Sequence, residues 1–360
     1  MRTHMNLYDF QYRQYLFKRV ILGIFLIMAL FISFITSILL GPYKLSVSEF
    51  FRYIWAVMFR SISVSKDVQI VYELRLCRAL TAVLVGAILG VSGAIMQCVL
   101  RNPLASPYTL GVNQGAALGA AIAIVYMGGG VLTKTGEGII ISQPYLIPGM
   151  AFMGAMISVA IILALARIRD LTPVGLILGG VATASFFQAL LFMIQYFSTD
   201  VQVAAITFWM FGDLGRAYWD ELFLIFIANI VLVMYALYRV WSYNALLLGD
   251  EIAKTLNADP KRIRLESMLV VAVGNAIAVS FVGIRGFLGL IAPHIIRMII
   301  GGNHKHLIPY SAVLGASLLL AADVLGRVII APRTLPVGII TTLLGVPMLI
   351  YLMVRRGDKY

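Results

Sequence analysis

The sequence predicts an all-α protein that crosses a membrane about ten times, and three observations carry that prediction. Hydrophobic residues make up 61% of the 360-residue chain and charged residues only 12%, against about a quarter charged in soluble domains. Mean hydropathy is +0.94. Charge-free windows recur along the whole chain at the roughly 20-residue length that spans a bilayer. No long polar stretch could build a second, soluble unit, so residues 1–360 read as one transmembrane domain.

The first span, 20–40, follows Arg13, Lys18 and Arg19 and ends at Gly41-Pro42. It is too long for a signal-peptide core and lacks a clear cleavage site, so it reads as a retained helix. The second, 79–100, lies between Arg78 and Arg101; the third, 107–127, opens at Pro107 and runs out into a glycine-rich loop, 128–138. The fourth and fifth are 145–166 and 173–197, the fifth opening at Thr172-Pro173. The sixth and seventh are 222–240 and 265–282. The eighth, 287–300, is short and reads as a half-helix continued by irregular backbone, tolerable only where protein or a cavity covers it. The ninth and tenth, 309–328 and 336–354, both open at prolines.

An even number of spans puts both termini on one side. Placing them inside puts 17 of the 28 Lys and Arg residues on the inner side, a modest excess in the direction of the positive-inside bias. That bias also absorbs the net charge of +12, which in a soluble chain would suggest nucleic acid. The segment 41–74 is polar enough to lie outside, with Tyr43, Phe50, Phe51, Tyr53 and Trp55 suited to a membrane interface. Cys77 and Cys98 are too few for a disulfide framework and lack metal-site spacing.

The most charged inner stretch is 244–264. Leu248, Ile252 and Leu256 repeat every four residues and make one helical face apolar. Asp250 and Glu251 suit a helix N-terminus. Asp259-Pro260 ends that helix and starts a second. Such an amphipathic pair fits three roles: lying in the lipid interface, forming a solvated loop, or docking into a groove on a soluble partner.

Six motifs in order resemble the FecCD-type permease family, the membrane subunits of bacterial and archaeal ABC importers for ferric siderophores, haem and vitamin B12. They are Arg75-Leu76-x-Arg78; Asn102-Pro103-Leu104-Ala105-x-Pro107; Leu248-Gly249 with Ala253 and Leu256; Gly289-Leu290 with Pro293-His294 and Arg297; Asp323 with Arg327; and Leu335-Pro336-Val337-Gly338 with Thr341 and Gly345-x-Pro347. The resemblance covers 75–356. It implies ten helices, with spans two to five and seven to ten forming an inverted repeat (75–200 and 265–356) around cytoplasmic coupling helices at 242–264. It also implies a homodimer, two ATPase subunits on the cytoplasmic face and an external substrate-binding protein. The location implied is the cytoplasmic (inner) membrane. Leu248, Gly249, Ala253, Leu256 and Arg262 match the segment that engages the ATPase. Arg75, Arg78 and Arg327 match arginines that receive acidic residues of the binding protein, a task suited to the planar guanidinium fork. Asn102 and Leu104, with Thr172 and Pro173, match the inner gate. Gly289, Pro293, His294, Arg297, Asp323, Pro336, Gly338, Gly345 and Pro347 belong to structural motifs. The chain departs from the family at Arg285, where an apolar residue or glycine is usual.

Blander roles stand beside these. Asp323 and Arg327 are four apart on one helix and can pair with each other. Arg75 and Arg78 can be snorkelling anchors. His294, beside Pro293, suits packing better than a metal. Gly86, Gly90 and Gly93 suit close helix packing. No Gly-x-x-x-x-Gly-Lys-Ser/Thr stretch is present, so no cofactor is expected on this chain and ATP and Mg belong to a partner ATPase. The chain is expected to be a transport subunit and not an enzyme. The rival class is an ion- or proton-coupled secondary transporter acting alone. It needs a mid-membrane ionisable group, for which Asp323 is the one acid well inside a span.

Overall fold

Helices dominate because each backbone N–H and C=O in hydrocarbon must be satisfied within its own segment. The computed structural model describes residues 2–41, 48, 55, 71–128, 131–132, 139–140, 145–168, 172–331 and 333–356. The first helices are α1 (Arg2–Leu39), α2 (Cys77–Val99), α3 (Val112–Tyr126), α4 (Leu146–Ile168) and α5 (Pro173–Tyr196). Then come α6 (Asp200–Phe211), α7 (Trp219–Tyr238), α8 (Val240–Leu247) and α9 (Asp250–Thr255). The last four are α10 (Pro260–Val282), α11 (Leu288–Ile300), α12 (His304–Val328) and α13 (Val337–Arg356). Two-residue strands, β1 (Val131–Leu132) and β2 (Ile139–Ile140), pair antiparallel.

Among the described residues, seven helices are long and apolar enough to cross a membrane: α1 from Phe17 onward, α2, α4, α5, α7, α10 and α12. The shorter apolar helices are α3, α6, α11 and the first part of α13. Every predicted span falls on a helix. The eighth is indeed short, at 13 residues. The backbone before it is irregular, and Phe287 sits in the left-handed region with φ +63°.

Two features differ from the sequence reading. Helix α6 lies between the fifth and sixth predicted spans, where the sequence reading places no element. Its signal is the capping box Thr199-x-x-Gln202, in which the Thr199 hydroxyl accepts from the Gln202 N–H and the Gln202 side chain accepts from the Thr199 N–H. The second helix expected at Pro260 is the base of α10 itself, while the short helix paired with α9 precedes it as α8. Within 242–264, residues 260–264 therefore belong to a spanning helix. Of the predicted outer segment, Tyr43, Phe50, Phe51 and Tyr53 lie outside the described residues, as does most of the glycine loop.

Helix α2 is the centre of the packing, with α7, α10, α11 and α12 around it and α1 on the periphery against α12. A methyl group on Gly93 would stand 1.5 Å from the Gly289 carbonyl oxygen on α11. Gly86 and Gly90 similarly admit the Gly315 and Ser311 carbonyls of α12. The stripe of small residues thus has the close-packing role expected of it. It joins helices of the first half of the chain to helices of the second in one core.

Candidate functional site

At the predicted inner end, α9 presents an apolar face that none of the described residues covers. Leu248, Ile252 and Leu256 are 60%, 49% and 36% exposed, whereas Ala253 on the opposite face is fully buried. Gly249 starts the helix at φ +119°, a conformation a side chain would strain. Asn257, at φ +59°, ends it, and the Ala258 N–H donates to the Ala253 carbonyl at 2.8 Å. The direction of α9 is therefore locked at both ends by left-handed or extended turns.

Asp250, in the first turn of α9, does more than favour the helix dipole. Arg264 Nη2 donates to both its oxygens, at 2.7 and 2.9 Å, and Arg101 Nη2 lies 2.5 Å from Oδ1. Arg264 is almost wholly buried at the base of α10, and its Nε donates to the Val99 carbonyl at the end of α2. Arg101 also donates to the Leu246 carbonyl of α8. Burial opposes ionisation of Asp250, but the hydrogen bonds and charge of Arg264, with the charge of Arg101, outweigh it. They hold the carboxyl below the usual carboxylate range. One carboxylate thus ties α8, α9, α2 and α10 together. Sequence reading missed this clamp, because its members are scattered along the chain and looked like ordinary inner-loop charges. The available signal was Arg264, a charge set against a long apolar run.

Arg101 is also unusual in its backbone, at φ +47°. It opens directly into the predicted gate turn. There Asn102 Oδ1 accepts from the Leu104 N–H at 2.9 Å and Leu104 is 40% exposed. Thr172 caps α5 by accepting from the Gly175 N–H, with Pro173 at the first helical position. The two predicted gate segments are thus separate local turns at the ends of α2 and α5. Arg262 is exposed on α10 and pairs with Glu266 one turn on, at 2.7 Å.

At the opposite end, Arg75, Arg78, Arg327 and Asp323 do come together, but their guanidinium groups turn inward. Arg75 donates to the Ile38 and Leu39 carbonyls, and Arg327 to those of Ser37 and Leu40 and to the Ser37 hydroxyl. Both arginines cap the C-terminus of α1, where carbonyls lack helical partners and the dipole is negative. Asp323 is fully buried. Arg78 binds its Oδ1 and Arg327 Nη2 lies 2.9 Å from its Oδ2. Arg78 also reaches Asp213 at 2.8 Å. Burial raises the Asp213 carboxyl, but Arg78 and the Gly215 N–H prevail and hold it low. Arg75 and Arg327, which the resemblance assigns to receiving acidic residues of a binding protein, are each under 10% exposed here and donate to carbonyls of α1. Asp323, fixed between two cations, has the structural pairing the sequence suggested and a second arginine besides.

Between the two ends lies a cavity of about 550 Å³ bounded by α3, α5, α6, α13 and the irregular segment that precedes α11. Asn113, Gln114, Gln188, Gln195, Thr207 and Thr342 supply polar groups to its wall, and Tyr108, Phe192, Phe211 and Phe287 supply aromatic faces. No lining residue is charged. Motif residues shape it. Gly338 lines the wall, and Gly345 admits Phe287, whose Cβ would lie 2.5 Å from a methyl group there. Gly289, Pro293 and His294 are buried in α11 and Arg297 is half-buried in its last turn, while Pro347 sits exposed within α13 and Pro336 precedes it. A second cavity, of about 650 Å³ between α4, α7 and α10, is almost wholly apolar. It suits lipid tails and not a polar solute.

A sequence model of the FecCD transport family matches residues 29–355. The chain is 46% identical to an ABC transporter permease protein of Methanocaldococcus jannaschii over 349 residues, 97% of this chain and 98% of that protein. It is 35% identical to the hemin transport system permease protein HmuU of Yersinia pestis, over 95% of this chain and 97% of that one. A solved metal-chelate type ABC transporter in an inward-facing conformation superposes with a TM-score of 0.78 at 29% identity, covering 93% of this chain and 99% of that chain. The chain belongs to the FecCD transport family.

Proposed function

From membership of the FecCD transport family, we propose that this multi-pass chain of the cytoplasmic membrane is the permease subunit of an ABC importer. It pairs with a second copy of itself, takes substrate from an external binding protein and is driven by two ATPase subunits that carry ATP and Mg. The cargo belongs to the class of iron chelates, haem or cobalamin. The observation that carries the reading is the uncovered apolar face of α9, held rigidly at the inner end of a chain that has no nucleotide-binding loop of its own. A rigid, amphipathic helix of this kind fits a groove on a soluble partner.

The mechanism is alternating access. ATP-driven closure of the partners displaces α9, and Asp250 passes that displacement on as a charge-assisted clamp. Arg101 carries it to the Asn102–Leu104 turn and Arg264 carries it to the base of α10 and the end of α2. The polar, uncharged cavity provides a weakly binding path, so specificity rests mainly with the external binding protein. The secondary-transporter alternative loses its one candidate, since Asp323 is committed to Arg78 and Arg327.

The test is co-purification of the tagged chain from its native membrane. An ATPase in equal stoichiometry is the expected result. A chain without an ATPase that takes up solute under an ion gradient alone would overturn the proposal.

A further inference from the structure

Three membrane helices leave a groove that the transport mechanism does not use. It is the apolar cavity of about 650 Å³ between α4, α7 and α10. Its α7 wall is Leu224, Ile227, Ala228 and Val231, the three-and-four spacing of one helical face. Ala228 is buried on the floor, while Leu224, Ile227 and Val231 are 47%, 43% and 56% exposed along the rim. The groove is hollow because small residues stand where longer side chains would fill it. A Cβ on Gly149 would meet nothing within 4 Å, and the nearest atom to one on Gly274 is in the Leu232 side chain, at 3.6 Å. Helices α4 and α7 each pack against α10 and stand apart across the groove.

The groove has a direction and a depth. Along α10 it runs from Leu269 to Phe281, which at 1.5 Å per residue is about 18 Å. One leaflet of the hydrocarbon core is about 15 Å thick. The groove opens beside Tyr145 and Pro148 at the start of α4 and takes only the first part of α7. It therefore lies in the leaflet away from α9. At that depth the surroundings are lipid tails, and an apolar hollow left empty would forfeit the contacts of its whole lining. The one hydroxyl from α10 in its wall, Ser280, donates to the Ile277 carbonyl at 2.9 Å and calls for no polar ligand.

The mouth of the groove carries charge. Asp220 and Glu221 stand one turn before Leu224 on the same side of α7. Tyr145, at the mouth, hydrogen-bonds Glu221 and lies close to Asp220. Among the described residues no cation pairs with either carboxylate. The α7 dipole favours acids in its first turn; their place over the groove adds a second consequence, an attraction for a cation at the lipid surface.

We propose that this groove is a lipid site, holding one chain of a membrane lipid along α10 with an ammonium headgroup at Asp220 and Glu221. The lipid supplies the contact that α4 and α7 lack across the groove. Lipids with an anionic headgroup and no amine are repelled by the same pair of carboxylates. The proposal does not depend on the importer reading.

The full-length chain, stripped of lipid in detergent, is titrated with phosphatidylethanolamine and with phosphatidylglycerol of identical chains, and bound lipid is read by native mass spectrometry. The unaltered chain is expected to bind the ethanolamine lipid about fivefold more tightly, the scale of an exposed ion pair. Gly149→Phe sets a ring into open space and is expected to weaken both lipids at least about tenfold, because the ring takes the contacts of the chain. Asp220→Asn with Glu221→Gln keeps a capping side chain at the start of α7. That variant is expected to bind both lipids equally, and it carries the test if the phenylalanine variant does not fold. Equal affinity of the unaltered chain for the two lipids, or lipid binding unchanged by Gly149→Phe, would overturn the proposal. So would loss of a co-purifying membrane protein from Gly149→Phe with lipid content unchanged, which would assign the groove to a protein helix.

Discussion

Asp250→Asn isolates the clamp beneath α9, because the amide keeps the shape of the carboxylate and one acceptor oxygen but removes its charge. In the structure that charge serves one guanidinium twice, from Arg264, and a second once, from Arg101. Breaking a fully buried ion pair costs about 3–5 kcal/mol and an exposed one about 0–1 kcal/mol. Asp250 is about one-third exposed and Arg264 almost fully buried, so about 2 kcal/mol is the appropriate scale. That corresponds to roughly a thirtyfold shift in the local opening equilibrium of α9. Hydrogen–deuterium exchange in micelles reads it directly. Amides of 250–258 are expected to exchange about thirtyfold faster, with α12 unchanged. In the assembled importer the ATPase stays attached through Leu248 and Leu256, and solute moved per ATP falls. Unchanged exchange in α9, or full coupling in the variant, would refute the idea that this carboxylate transmits motion.

The same carboxylate sets a pH limit. Its folded pKa lies below its unfolded value of about 3.9. Its contribution is therefore complete above that value and is lost as pH falls through the folded pKa; α9 exchange followed down a pH series checks this, and Asp250→Asn should remove the dependence. Leu248→Ser with Leu256→Ser removes two exposed apolar side chains and should strip the ATPase from the purified complex while the melting temperature stays within a few degrees. Gly93→Ala forces a methyl group to 1.5 Å from the Gly289 carbonyl oxygen, so α2 and α11 must separate. Loss of monodisperse protein in size-exclusion chromatography is expected, against little effect from Gly149→Ala, where nothing lies within 4 Å. Arg327→Gln leaves Asp323 short of a cation and α1 short of a cap, at about 2–4 kcal/mol, and should increase protease access to α1.

The all-helical membrane class and the positions of the apolar helices along the chain were legible because the bilayer leaves few options: about 20 apolar residues make a helix, and prolines, glycines and paired charges punctuate it. The short eighth helix and the small-residue stripe on α2 were legible for the same reason, since both are one-dimensional patterns. So was the apolar face of α9, whose exposure in the structure agrees with its fourfold spacing. Helix α6 carried a readable capping box but too short an apolar run to stand out.

What the sequence by itself determined was therefore the class of the protein and where its charges fall along the chain. Only the tertiary structure decided what those charges meet. Arg75 and Arg327 cap α1, because its C-terminal carbonyls lie beside them. Asp250, Arg101 and Arg264 form one clamp although the first two lie 149 positions apart along the chain. Arg285 is buried near Asp213 and Asp323, but Arg78 engages both carboxylates. A charge in a low-dielectric interior is defined by the partner within about 3 Å, and that distance is set by helices folding against each other.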